Sequence, residues 1–137
     1  MAFVVVKEER FALGSDIDVV AARRGVSEWA RQIGLSVLDR TKVVTAASEL
    51  ARNTVIYGGG GVMSLEIVRD GRREGLRAAF EDHGPGIADT VRALEDGYST
   101  GGGMGIGLPG ARRLVNDFEL TSTVGVGTCI TIVRWKP

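Results

Sequence analysis

The periods of apolar and polar positions mark out the elements of the chain. The opening run FVVVKEERFAL, residues 3–13, is rich in β-branched and apolar residues and predicts a first strand. Ser15 then stands before a helical pattern, with Asp16 and Asp18 in the first turn, where carboxylates suit the helix dipole. Apolar residues recur at Val19, Ala22, Val26, Trp29 and Ile33, in steps of three and four. Gly25 is expected to weaken this helix and Gly34 to end it. A second helix is predicted from about Asp39 to Tyr57, with Val43, Ala47, Leu50 and Thr54 as its core stripe, stopped by four glycines at 58–61.

The segments VMSLEIVRD and EGLRAAFED follow, two strands joined through Asp70-Gly71, a hairpin signal. EGLRAAFED alternates poorly and leaves its register open. A short helix is expected at about Ala88–Asp96, and a longer one at about Ile106–Asn116 after a glycine-rich stretch. FELTSTV and GTCITIVRW close the chain as strands. Strands adjacent in sequence at both ends of this order imply a mixed or antiparallel sheet with helices on one face, an α+β two-layer sandwich rather than a doubly wound parallel sheet.

Composition narrows the class. The 137 residues suit one domain, expected over 1–137. Lysine and arginine total 17, as do aspartate and glutamate, so no bulk charge draws the chain to nucleic acid or an anionic membrane. No apolar run reaches the roughly 18 residues of a membrane span, and MAFVVVKEER is too soon charged for a signal peptide. One cysteine, Cys129, sits in an apparent strand and reads as a buried, inert thiol. These features point to the cytoplasm.

The stretch STGGGMGIGLPG, residues 99–110, raises the question of a nucleotide site. Its end, Gly105 to Gly110, fits G-x-G-x-x-G, but a dinucleotide fold needs a strand before it and an acidic residue about 20 positions on. A polar loop precedes it here, and Asp117 and Glu119 come too early. A Walker loop needs Gly-Lys, a pair absent from the chain. What remains is a glycine lid ending at a helix start, where backbone N–H groups can approach phosphates; an ordinary flexible loop is the alternative.

Other segments add to that reading. In ASELARNTVIYG, Glu49 and Asn53 stand at i and i+4, on one helix face about a quarter turn from the core stripe. An Asn oxygen can ligate Mg²⁺, which otherwise relies on water and phosphate oxygens, and a Glu one turn away can take a proton from an attacking hydroxyl. A solvated polar face is the plainer reading of both. In EDHGPGI, Asp82 ends a strand before a tight turn through Gly84, Pro85 and Gly86 to Ile87. A carboxylate there can accept from an adenine amino group, while the glycines leave room for the base. Thr128, after Gly127, offers a further hydroxyl.

The ordered row E-x-x-x-N, D-x-G-x-G, G-x-G-x-G-L and G-T resembles the nucleotide-binding boxes of the GHKL superfamily over nearly the whole chain. The resemblance implies the Bergerat fold. It also implies ATP and Mg²⁺ as cofactors, with Asn53 on the metal and Glu49 as general base. Asp82, Gly84, Gly86, Ile87 and Thr128 would then hold adenine, and Gly103, Gly105, Ile106, Gly107 and Leu108 the phosphates. The lone histidine, His83, lies in the adenine turn, and no phosphoacceptor hairpin is present. A single domain of this kind is similar to the anti-sigma-factor serine kinases, and GGGMGIGLPGARRLVNDFEL, ELARNTVIYGGGG and SDIDVVAARR are most like the RsbT-type switch kinases among them. That likeness implies a serine/threonine kinase acting on STAS-domain proteins of a stressosome-like scaffold, and an activator of a PPM-type phosphatase once released. A sigma-factor-binding kinase of the RsbW or SpoIIAB type, or a nucleotide-gated docking module, are the alternatives. The lid departs from relatives that use a lid cation, since no Arg or Lys lies between Gly97 and Gly110. Arg52, Arg112 and Arg113 are the sequence-level candidates for that charge.

Overall fold

A computed structural model describes residues 3–95 and 106–137. Five antiparallel strands form one sheet in the order β1-β2-β3-β5-β4, built from β1 Val4–Leu13, β2 Gly61–Asp70, β3 Arg73–Asp82, β4 Asp117–Thr123 and β5 Gly127–Trp135. The helices α1 Asp16–Gln32, α2 Val37–Ile56, α3 Thr90–Ala93 and α4 Gly107–Arg113 complete the described elements. The expected α+β sandwich is the observed architecture.

The main core lies between the sheet and the helices. Met63, Leu65 and Ile67 on β2, Leu76, Ala78 and Phe80 on β3, and Ile130 and Ile132 on β5 meet Val26 and Trp29 of α1 and Val43, Ala47 and Leu50 of α2. Each strand contributes alternate residues, as period-2 geometry requires. The register of β3 is thereby settled: Leu76, Ala78 and Phe80 face the helices, and Arg77 faces away, paired with Glu66 at 2.6 Å. Val68, Val133 and Trp135 form a second, smaller cluster with Phe3 packed against it. Burying these side chains supplies the main driving force for the fold.

Several boundaries differ from expectation, each for a local reason. Helix α2 starts at Val37 rather than Asp39, because the Ser36 hydroxyl accepts the Asp39 N–H at 3.1 Å and caps the first turn. Val37 and Leu38 are exposed there and carry no core periodicity. Ser15 makes no side-chain cap; instead Asp18 accepts the Gly14 N–H at 2.8 Å. Helix α3 is a single turn, Thr90–Ala93, shorter than the expected span: the Asp89 carboxylate accepts the Arg92 N–H at 3.0 Å and caps its start, the chain turns at Leu94 and Glu95, and Asp96 lies outside the described residues. Helix α4 stops at Arg113 instead of Asn116, because Asn116 is drawn into the sheet: its N–H donates to Val133 O at 2.9 Å, and its Oδ1 accepts from Trp135 N at 2.7 Å.

Gly25, expected only as a weakness, has a packing role. A Cβ at that position would stand 2.6 Å from the edge of the Phe11 ring, so its absence lets β1 lay that ring on α1. No helix among the described residues is long and apolar enough to cross a membrane.

Candidate functional site

A cavity of about 260 Å³ opens between the C-terminal half of α2, the end of β3, the turn after it, the start of α4 and the start of β5. Leu50, Phe80, Ile87, Leu108 and Ile130 make its walls largely apolar, while Asn53, Asp82 and Thr128 bring polar groups to it. An apolar slot with a few convergent polar groups is the usual form of a small-molecule site, and these walls suit a planar heterocycle.

Asp82 is oriented by the backbone around it. Its Oδ1 accepts the Gly84 N–H at 2.9 Å and the Thr128 N–H at 3.3 Å. With Oδ1 held by two donors, Oδ2 is left as the acceptor a ligand could use. Gly58, the residue after the C-cap of α2, packs against the same carboxyl group, and Gly84 in turn packs on Gly58. Gly86 has φ 78°, and a Cβ there would run into the Thr123 carbonyl, so the turn lies flush against the β4–β5 connection.

A hydroxyl pair completes this wall. Ser122 Oγ accepts the Ile87 N–H at 2.7 Å, donates to Gly127 O at 3.1 Å, and lies 2.8 Å from Thr128 Oγ1. A hydroxyl has one hydrogen. With Ser122 donating to Gly127, Thr128 is the donor in their shared bond, and the remaining capacity of Thr128 is as an acceptor.

Glu49 does not line the cavity and does not lie on a solvated face. Its side chain is 9% exposed, with Oε1 accepting the Ile106 N–H at 3.2 Å and standing 3.7 Å from Arg52 Nη2. The contact with Ile106 ties α2 to the start of α4. Asn53, one turn on, lines the cavity. Glu49, Asn53, Asp82, Gly86, Ile87, Leu108 and Thr128 are thus gathered at one end of the sandwich. Gly84 supports Asp82 from behind, and Gly107 opens α4 with φ 68°. Gly103 and Gly105 lie outside the described residues. Among described residues no group of three His, Cys, Asp or Glu is placed to hold a metal, so a divalent ion here would draw on the Asn53 oxygen, phosphates and water, a set that suits Mg²⁺.

Sequence reasoning missed Ser122, Gly58, Tyr57 and Thr54. Ser122 had one available signal: it stands opposite Thr128 in the β4–β5 register. Tyr57 and Gly58 line the cavity because α2 ends at its rim. Cys129, expected to be buried, is half-buried and lines a groove with Glu81, His83 and Thr121; the burial it has still pushes its thiol above the ordinary range, in keeping with an unreactive side chain. Arg112 lines a different groove, with Arg77, Thr131 and Val133.

The sequence matches the model of the family described as histidine kinase-like ATPase domain over residues 15–134. It is 45% identical over 118 residues to the serine/threonine-protein kinase RsbT of Bacillus subtilis (strain 168), covering 86% of this chain and 89% of that one. Identity to an anti-sigma F factor of Thermoanaerobacter sp. (strain X514) is 24% over 120 residues, 83% of this chain and 82% of the relative. The structure superposes on the crystal structure of the RsbU and RsbW domains of a Mycobacterium tuberculosis protein with a TM-score of 0.67 and 22% identity. That match takes in 96% of this chain and 34% of the other, and speaks for the fold alone.

Proposed function

The chain belongs to the histidine kinase-like ATPase domain family and is a serine/threonine-protein kinase, and from that premise we propose that it phosphorylates a Ser or Thr of a STAS-domain regulator in a partner-switching pathway. The observation that carries this reading is the gathering of Asn53, Asp82, Leu108 and Thr128 about one apolar cavity with Glu49 buried beside it. Binding alone accounts for the first four. Glu49 has no task in holding a base.

In this reading adenine enters between Phe80, Ile87, Leu108 and Ile130, with its amino group on Asp82 Oδ2. The triphosphate runs toward Asn53 and the start of α4. Mg²⁺, when bound, neutralises charge on the phosphates. The acceptor hydroxyl forms a new O–P bond to the γ-phosphorus as the bond to the β,γ-bridging oxygen breaks. ADP leaves, and the hydroxyl proton passes to the Glu49 carboxylate. Such transfer depends mainly on positioning and charge neutralisation. Release from the phosphorylated partner then frees the chain to engage a PPM-type phosphatase.

The test is transfer of labelled γ-phosphate from Mg²⁺-ATP to a panel of STAS-domain proteins, with Glu49→Ala alongside. Transfer by the parent and a loss of roughly 10²–10⁴-fold in the variant, with ATP still bound, is the expected result. Equal loss of binding and transfer removes Glu49 from the role of base. ATP binding without transfer to any acceptor shifts the function to nucleotide-gated docking, and the phosphatase becomes the next partner to test. The likeness to an anti-sigma F factor favours one further reading, a kinase that also holds a sigma factor. Retention of a sigma factor on the immobilised chain in the presence of ATP is its signature.

A further inference from the structure

We propose that Arg52 is a positioning residue for phosphoryl transfer, acting through Glu49; the proposal rests on the reading of Glu49 as the base. Arg52 and Glu49 are i and i+3 on α2, so the helix itself sets their approach. The guanidinium Nη2 stands 3.7 Å from Glu49 Oε1, and that same oxygen accepts the Ile106 N–H at 3.2 Å. One oxygen is therefore held from two directions, by a charge on its own helix and by the amide that precedes α4.

The chemistry needs such a hold. A carboxylate that is 9% exposed has lost most of its water, and a buried charge is costly unless something compensates it. A base must also stay aimed, since displacement by about 1 Å can cost on the order of 10²-fold in rate. Arg52 is itself 38% exposed, so it supplies positive charge at the rim without being buried. At 3.7 Å the pair is longer than a hydrogen bond and works through charge. This distinction gives the proposal a sharp consequence: a lysine at position 52 can stand in for the arginine, whereas a neutral glutamine of similar polarity cannot.

The placement also separates the three arginines that the sequence offered. Arg112 turns to the groove with Arg77 and Val133 on the other face of the sheet, and Arg113 is exposed at the end of α4. Arg52 is the cation set against the candidate base.

The experiment compares Arg52→Gln, Arg52→Lys, Glu49→Gln and the Glu49→Gln/Arg52→Gln double variant of the full chain. It reads two rates at saturating Mg²⁺-ATP: transfer to a STAS-domain acceptor from the panel, and hydrolysis of ATP by the chain alone. ATP affinity is measured in parallel by equilibrium titration. The expected result is a fall of at least about tenfold for Arg52→Gln with ATP affinity held within about twofold. Arg52→Lys recovers most of the rate, and the double variant is no slower than Glu49→Gln. A parental rate in Arg52→Gln overturns the proposal, as does a lysine variant as slow as the glutamine one. A double variant slower than Glu49→Gln alone assigns Arg52 an action independent of the base and overturns it too. If Glu49→Gln itself keeps the parental rate, the base reading falls and this inference with it. A slow Glu49→Gln beside a fast Arg52→Gln removes the inference alone.

Discussion

The Asp82 carboxyl group lies against Gly58: a Cβ on Gly58 would stand 2.5 Å from Asp82 Cγ and 2.6 Å from Oδ2. Two segments far apart in the chain, the end of α2 and the end of β3, thus meet where only a hydrogen fits. Gly58 does not have a positive φ, so alanine suits its backbone, and the effect of the substitution is confined to this contact. Gly58→Ala is expected to push the carboxyl group aside and weaken ATP binding by roughly tenfold to a hundredfold, the range for a hydrogen bond to a charged group. Equilibrium titration with ATP and with GTP checks it. A uniform loss for both would place the damage in the cavity as a whole, whereas a selective loss for ATP marks the adenine contact.

Asn53→Ala and Asp82→Asn should separate the two ends of the ligand. Loss of the Asn53 oxygen is expected to weaken Mg²⁺-ATP binding while leaving adenosine binding unchanged. Asp82→Asn should weaken adenosine and ATP alike. Titrations of each variant with adenosine, with ATP and Mg²⁺, and with ATP and a chelator give three values for each, enough to separate the two ends. An Asn53→Ala protein whose ATP affinity is unchanged with Mg²⁺ present would remove this residue from the metal.

Ser122→Ala tests the hydroxyl that sequence reasoning passed over. It leaves the Ile87 N–H without the acceptor it has at 2.7 Å, and Thr128 without its partner at 2.8 Å. An unsatisfied donor costs about 1–3 kcal/mol when buried. A lower denaturation midpoint and weaker ATP binding are both expected, by urea titration with and without nucleotide. If stability drops but the ATP-induced gain in midpoint is unaltered, the hydroxyl supports the fold and not the site.

A pH dependence follows from the ion pair between α2 and β5. Arg134 Nη2 donates to Asp39 Oδ1 at 2.6 Å, with both side chains 15% exposed. The Arg134 hydrogen bond and charge, with the Ser36 hydroxyl, hold the Asp39 carboxyl below its ordinary value of 3.8. A pKa depressed by folding means that the unfolded chain binds the proton more tightly. The pair's contribution is therefore whole above pH 3.8 and is lost as pH falls through the lowered value. The stability gap between the parent and Asp39→Asn should be widest at neutral pH and close in acid. Urea midpoints of both proteins across that range decide it, and a gap independent of pH would count against the pair.

Much of this molecule was legible in one dimension. Most strands showed as β-branched or apolar runs, though the register of EGLRAAFED waited for the structure, and the stripe Val43, Ala47, Leu50 and Thr54 is buried as its spacing implied. Two of the candidate boxes were legible because they depend on local geometry: a helix turn for Glu49 and Asn53, and a tight turn for Asp82 to Gly86. The helix ends were less so. Asn116 left its helix because Val133 and Trp135, distant in sequence, offered better partners.

The sequence by itself determined most of the elements, the family likeness and the candidate residues for the chemistry, since periodicity, turn residues and short motifs act within a few positions along the chain. Only the tertiary structure decided that Glu49 is buried rather than solvated, that Asp82 presents Oδ2, and that Ser122 and Gly58 belong to the site. It also separated Arg52 from Arg112. Each of these outcomes depends on which segments the sheet order and helix packing bring within a few ångströms, a relation that spacing along the chain does not encode.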